Sequence, residues 1–262
     1  MSRAEGGDWR LRAFDVLAST SDLCRELAAA GEPDGLAVMA GRQIRGRGSR
    51  GREWDSPAGN LYLSALLRPG ESPRRAGEWA LLAGVALREA LAELAGPPAA
   101  RLRLKWPNDL LLDGRKLAGI LIDSSADAAG RLAWLVIGIG ANLAHAPAVA
   151  GRATACLAEV APPPGPDVAA GRLLARLGHW RRIRQAEGFR PVRDAWLAHG
   201  PSPGEPMTLR LPGRLVEGRF GGLGEDGSLL LGAQGAVQAF TTGDVLMPGA
   251  AAAREGKASC CW

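Results

Sequence analysis

Apolar residues of this chain fall into short runs of two kinds, one at strand period and one at helix period. Residues 11–17 read as a strand, and Ser19, Thr20, Ser21 and Asp22 then offer helix-capping side chains ahead of Leu23, Leu27 and Ala30 at helical spacing. Gly31 closes that helix, residues 36–40 form a second strand, and residues 41–59 make a Gly/Arg/Ser loop too polar for a core. A loop of that length is expected to be functional. Residues 61–67 have strand character, and residues 79–94 carry Ala and Leu at the period of a buried helix until Gly96, Pro97 and Pro98 stop it. Four apolar runs follow, 101–105, 110–112, 117–123 and 132–139, with Asp113-Gly114 as a hairpin turn, and predict a largely antiparallel sheet.

A Pro-rich linker at 161–166 precedes a helix-rich piece at 168–199, and residues 201–206 form a second Pro/Gly boundary. The pattern then changes. Short runs at 207–211, 215–220, 228–231 and 236–240, with Gly-rich turns such as Glu225-Asp226-Gly227, predict a small β-barrel-like unit. We therefore expect a main domain over 1–200, a small one over 201–248 and a disordered Gly/Ala tail over 249–262.

With 262 residues, 47% of them apolar, the chain can bury a sizeable core. It contains no apolar run of about 18 residues, and Asp8, Arg10 and Arg12 argue against a signal peptide; a cytoplasmic protein without membrane contact is expected. Cys24, Cys156, Cys260 and Cys261 form no CxxC pair and have no histidine cluster near them, so they read as small hydrophobes rather than metal ligands. His145, His179 and His199 lack ligand spacing as well. The formal charge of +5 is spread along the chain except for Arg45, Arg47, Arg50 and Arg52, a stretch without an acid that needs an anionic partner or water.

That stretch lies within Gly46-Arg47-Gly48-Ser49-Arg50-Gly51-Arg52-Glu53-Trp54, where glycines let backbone N–H groups approach an anion and arginines supply charge. It is neither a Walker A loop nor a dinucleotide turn. An RGG-like RNA-binding segment is an alternative, but the loop runs straight into the strand entry Ser56-Pro57-Ala58-Gly59-Asn60-Leu61. Downstream stand Lys105-Trp106-Pro107-Asn108-Asp109, then Lys116-Leu117-Ala118-Gly119-Ile120-Leu121, then Gly138-Ile139-Gly140-Ala141-Asn142. In this order the segments resemble the GRGRxGRxW, KWPND, KxxGIL and GIGxN motifs of the biotin–protein ligases, and the resemblance spans approximately residues 10 to 245.

The resemblance implies an α+β fold with a class II synthetase-like, mixed or mostly antiparallel sheet backed by helices, a basic loop that orders on ligand binding, and a C-terminal SH3-like β-barrel from about Pro206. It implies that biotin and ATP, with Mg²⁺, give biotinyl-AMP, whose biotin passes to a lysine of a biotin carboxyl carrier domain. Arg47 and Lys116 are the expected catalytic cations where two anions meet. Ser19, Thr20, Ser21 and Gln43 are expected around the ureido ring, and Arg47, Gly48, Ser49, Lys116 and Gly119 along the rest of biotin. For Ser19 a plain helix N-cap fits equally well, Lys116 on an apolar strand otherwise snorkels to solvent, and Gly119 otherwise marks a bulge. Gly46, Arg47, Gly48, Arg50, Arg52, Trp54, Asn108 and Asn142 are expected at the nucleotide, with Trp54 stacking on adenine, Asn142 at phosphate or metal, and Trp106 packing in the fold. Asp109 is the candidate Mg²⁺ ligand, with capping of its turn as the alternative.

Ser49 stands where a second arginine is common and Ser21 where Asn is usual, which raises the expectation of a leaky adenylate. About ten residues precede the first strand, too few for a helix-turn-helix, so a monofunctional enzyme without DNA binding is expected; a homodimer is compatible with the resemblance. The rivals are a lipoate–protein ligase or octanoyltransferase, a nucleic-acid-binding protein, and a degenerate paralogue that binds biotin without catalysis.

Overall fold

The computed structural model describes residues 9–149, 151–233 and 235–246 and the backbone of residues 2 and 3. Eight strands, β1 (Ser2–Arg3), β2 (Arg10–Leu17), β3 (Leu36–Gln43), β4 (Leu61–Leu67), β5 (Leu102–Lys105), β6 (Asp109–Leu112), β7 (Arg115–Ala126) and β8 (Leu132–Ala141), make one sheet in the order β1-β2-β3-β4-β8-β7-β6-β5. Its β2–β3 pair is parallel, joined through helix α1 (Thr20–Ala29), and every other neighbour is antiparallel.

Both faces of the sheet are covered, which is why its central strands read as continuous apolar runs rather than as alternation. Along β3, Leu36 and Val38 pack with Cys24 and Ala28 of α1, while Ala37 and Met39 join the large core on the other face. There the sheet meets α2 (Ala76–Ala95) and α3 (Pro166–Glu187). The predicted strand at 61–67 coincides with β4, every residue of which is buried. Asp113 (φ 49) and Gly114 (φ 74) form the hairpin turn, with the two positive φ angles that a tight turn between twisted strands requires. The predicted helical piece at 168–199 is two helices, because Gly188 at φ 79 ends α3 and a new start with Pro191 in its first turn gives α4 (Arg190–Leu197).

The C-terminal strands β9 (Pro206–Leu211), β10 (Arg214–Leu223), β11 (Leu229–Ala233), β12 (Ala236–Phe240) and β13 (Asp244–Leu246) form an antiparallel sheet in the order β12-β11-β10-β9-β13. This corrects the barrel expectation. Among the described residues β12 and β13 do not pair, because the short β13, which the apolar pattern did not reveal, adds beside β9. The small sheet is fastened to the large one: Trp106 donates its indole N–H to the Gly227 carbonyl at 3.1 Å, and the Trp196 and Phe220 rings lie 6.5 Å apart. The tail expected to be disordered lies outside the described residues.

Candidate active site

The basic loop folds as a miniature hairpin. Trp54 N–H donates to the Gly46 carbonyl at 2.9 Å and Gly48 N–H to the Arg52 carbonyl at 2.8 Å, around a single 3₁₀ turn at Ser49–Gly51. Gly46 is there for space: a Cβ on it would lie 2.2 Å from the Trp54 carbonyl oxygen and 2.5 Å from Ser56 Oγ. The loop, expected to order on ligand binding, has in this conformation hydrogen bonds of its own. The hairpin lays the indole of Trp54 over β7 and β8 at Gly119 and Gly140, which are paired in register. A Cβ on Gly140 would fall 2.6 Å from the indole Cε2.

On either side of Trp54 lies a cavity. The first, of about 440 Å³, is lined by Thr20, Ser21, Gln43, Arg47, Asn108 and Gly119 among others. The second, of about 560 Å³, is lined by Arg52, Asn142, Arg152 and Thr154 among others. Trp54, Lys116, Gly48 and Ser49 belong to both linings.

A chain of hydroxyl and amide groups closes the inner end of the first cavity. Thr20 Oγ1 and Ser21 Oγ lie 2.8 Å and 3.0 Å from Ser64 Oγ, Thr20 N–H donates to Gln43 Oε1 at 2.8 Å, and Gln43 Nε2 donates to Ser56 Oγ at 3.0 Å. Neutral donors and acceptors of this kind match a neutral polar group such as a urea. Ser19 stands apart, since its hydroxyl caps α1 by accepting from Asp22 N–H at 3.3 Å.

Lys116 and Gly119, three residues apart, would point to opposite faces of a regular strand. A bulge in the β6–β7 pairing, where Leu110 faces Ala118 but Leu111 faces Lys116, brings both to the Trp54 side. The Lys116 ammonium sits 2.5 Å from Asp109 Oδ1 and 5.3 Å from the centre of the Trp54 ring. Burial pulls the Lys116 pKa below the ordinary lysine range, against the opposing pull of Asp109. Burial alone would raise the Asp109 carboxyl, but Lys116 and Lys105 outweigh it and hold it below the usual carboxylate range. With Lys105 Nζ 3.2 Å from Oδ2 and Lys116 on Oδ1, Asp109 is the counter-ion of two lysines. A metal ion on this carboxylate would have to displace an ammonium group. Among the described residues, no three His, Cys, Asp or Glu side chains are grouped to hold a metal ion.

Arg47 reaches the first cavity while its Nη1 lies 3.1 Å from Asp22 Oδ1 and 3.0 Å from Asp123 Oδ2, leaving its other N–H donors for a ligand. Arg52 folds back onto Ser49, and Arg50 leaves both cavities and points to Asp244. Asn108 donates to the Ile120 carbonyl at 2.6 Å and borders the first cavity, not the second. Asn142 donates from Nδ2 to the Ala155 carbonyl at 3.0 Å, and its Oδ1 is buried without a partner. An amide oxygen accepts and does not donate, so it suits an N–H of a ligand better than a phosphate, against the phosphate expectation. The Trp54 indole N–H is likewise buried and unpaired.

Sequence reasoning missed Ser64, Arg152, Thr154 and the lining glycines Gly138 and Gly140. The glycines were legible, since they alternate with Ile137 and Ile139 on a strand otherwise apolar. It also missed Asn60, whose Oδ1 accepts from the N–H groups of Leu143, Ala144 and His145 at 2.9 to 3.0 Å and fixes the chain beside Asn142. Cys24 behaves as the small hydrophobe expected, its thiol pushed up to about 12 by burial.

The sheet, the loop and the paired cavities define a ligase-type domain, and residues 13–142 match the Biotin/lipoate A/B protein ligase family. A biotin–[acetyl-CoA-carboxylase] ligase of Paracoccus denitrificans is 39% identical over 218 residues, covering 81% of this chain and 90% of that one. Another, of Mycobacterium tuberculosis, is 34% identical over 250 residues, covering 92% and 90%. The structure of a biotin protein ligase from Aquifex aeolicus in complex with biotin and ATP superimposes with a TM-score of 0.77 at 26% identity, covering 90% of this chain and 97% of that chain. The chain belongs to the biotin–protein ligase family, as the four sequence motifs implied.

Proposed function

We propose that this chain activates biotin with Mg-ATP and transfers it to a lysine of a biotin carboxyl carrier domain. In the first step a carboxylate oxygen of biotin attacks the α-phosphorus of ATP and pyrophosphate leaves. In the second the carrier amine attacks the acyl carbon of biotinyl-AMP, AMP leaves with the bonding electron pair, and the amine loses a proton.

The observation that carries this reading is the Lys116 ammonium in the wall shared by two cavities. Two anions, a carboxylate and a polyphosphate, repel where they meet, and a desolvated cation between them lowers that barrier without itself taking part in bond making. Biotin occupies the first cavity, its ureido group on Thr20, Ser21 and Gln43, and its rings beside the Trp54 indole that covers Gly119 and Gly140. Arg47 and Lys116 face its carboxylate. ATP occupies the second cavity, its base against the Asn142 acceptor and its phosphates toward Arg52 and Arg152. Magnesium arrives with the nucleotide as part of the substrate, which leaves Asp109 to aim Lys116.

Residues 1–200 act as the catalytic domain and 201–248 as a small accessory one, in a cytoplasmic enzyme; among the described residues no helix is long and apolar enough to cross a membrane. Incubation with Mg-ATP, biotin and a biotin carrier domain should add one biotin to one carrier lysine, read by mass spectrometry. Labelling should require Lys116, and lipoate should not replace biotin. Labelling with lipoate alone would transfer the assignment to the lipoate ligases, and no labelling with either would leave a binding protein.

A further inference from the structure

Asp244 opens β13, on the small sheet, yet its carboxylate meets three cations of the catalytic half. Oδ2 lies 3.1 Å from Arg152 Nη2 and 3.6 Å from Arg50 Nη1, and Oδ1 lies 3.6 Å from Lys105 Nζ. Each cation belongs to a different part of the site. Arg152 lines the second cavity, Arg50 is the tip of the basic hairpin, and Lys105 is the second partner of Asp109, which in turn holds Lys116. Arg50, Asp244, Lys105, Asp109 and Lys116 thus form an unbroken series of alternating charges, and the Asp244 side chain is only 14% exposed.

Two backbone features bring Arg50 and Asp244 together. Arg50, at φ 61, sits in the 3₁₀ turn that the hairpin's own hydrogen bonds close, and from there its guanidinium lies 3.6 Å from Asp244 Oδ2. Gly243, at φ 153, passes so close to β9 that a Cβ would lie 2.5 Å from Leu209 Cδ1; glycine there lets the chain bring Asp244 against the catalytic half.

We propose that Asp244 is a positioning residue for the nucleotide: one carboxylate of the C-terminal sheet ties the hairpin, the cavity wall and the Lys105–Asp109–Lys116 series into the arrangement that receives the ATP phosphates. Without it, Arg50 and Arg152 lose their common anchor and the three cations repel one another, so the cost falls chiefly on the second cavity, which Arg152 lines, and reaches the first only through Lys116, which Asp109 still holds.

The inference rests on the ligase reading, and binding measurements separate the two. Calorimetry with Mg-α,β-methylene-ATP and, separately, with biotin should show for Asp244→Asn a Kd for the nucleotide raised by about tenfold, with biotin affinity changed less than about twofold. Asp244→Glu should recover most of the nucleotide affinity. Arg50→Gln, at a half-exposed position that does not threaten folding, should shift the same way as Asp244→Asn, and Asp244→Asn/Arg152→Gln should be less than additive. Equal losses for both ligands, strict additivity, or unchanged nucleotide binding in both Asp244→Asn and Arg50→Gln would overturn the inference while leaving the ligase reading in place. Failure of the unmodified protein to bind either ligand would overturn the ligase reading first, and this inference with it.

Discussion

Lys116 and Gly119 share one face of β7 although they stand three positions apart, because the bulge opposite Leu111 shifts the alternation between them. The ammonium and the glycine shelf therefore lie under the same indole, Trp54. That shelf extends to Gly140 on β8, and the two glycines differ in what a methyl group would meet. At Gly119 it would come 3.0 Å from the flexible end of Lys116, and at Gly140 it would come 2.6 Å from the rigid indole.

Gly140→Ala should therefore be the more damaging change. Overpacking of about 1–3 kcal/mol corresponds to a loss of biotin affinity of roughly five- to 150-fold, whereas Gly119→Ala should lose less because its nearest contact, at 3.0 Å, has to give less than the 2.6 Å contact at Gly140. Biotin titration of the two variants checks the order, and a larger effect at Gly119 would contradict the placement of the indole.

Asp109→Asn should cost stability as well as activity. Removing the shared partner of two buried lysines is worth about 3–5 kcal/mol, read by chemical denaturation. The pH dependence has a definite sign. The folded Asp109 pKa lies below its unfolded value, so the carboxylate stabilises the fold fully above the unfolded value and loses that contribution as pH falls through the folded one. Wild type should lose stability more steeply than Asp109→Asn on the acid side of about pH 4. Equal slopes would remove Asp109 from the role of counter-ion.

Asn142→Ala removes, among the described side chains, the one buried acceptor of the second cavity without a partner. A ligand N–H buried without that acceptor costs about 1–3 kcal/mol, so KM for ATP should rise on the order of tenfold while KM for biotin stays within about twofold. Purine riboside triphosphate, which lacks the exocyclic amine, should be a poor substrate of the wild type and no poorer with the variant. An equal penalty on both proteins would mean that Asn142 does not read the base.

Ser49 borders both cavities and accepts a hydrogen bond from Arg52 at 2.9 Å instead of placing a cation over the shared wall. Biotinyl-AMP should escape from such a site more readily than from one with an arginine. Biotinylation of bystander proteins in a mixture should thus fall in Ser49→Arg; bystander labelling equal in the two proteins would show that Arg47 and Lys116 retain the adenylate unaided.

Local order was written in the sequence. Apolar spacing and turn chemistry gave β4, the α2 helix, the Asp113-Gly114 hairpin and the succession of motifs, because period, capping and left-handed turns depend on residues a few positions apart. The motifs also named Lys116, Arg47, Thr20, Ser21 and Gln43, which the fold brings to one cavity. What lay beyond the sequence depended on contacts between distant segments. Only the bulge decides that Lys116 and Gly119 face together. The pairing of β5, β6 and β7 decides that Asp109 serves two lysines, the packing of the two sheets that Asp244 reaches Arg50, Lys105 and Arg152, and the pairing within the small sheet that β13 lies beside β9 rather than closing a barrel. A charge in a sequence carries no sign of its partner, and the partner is set by topology, since the electrostatic energy depends on distance in space rather than along the chain.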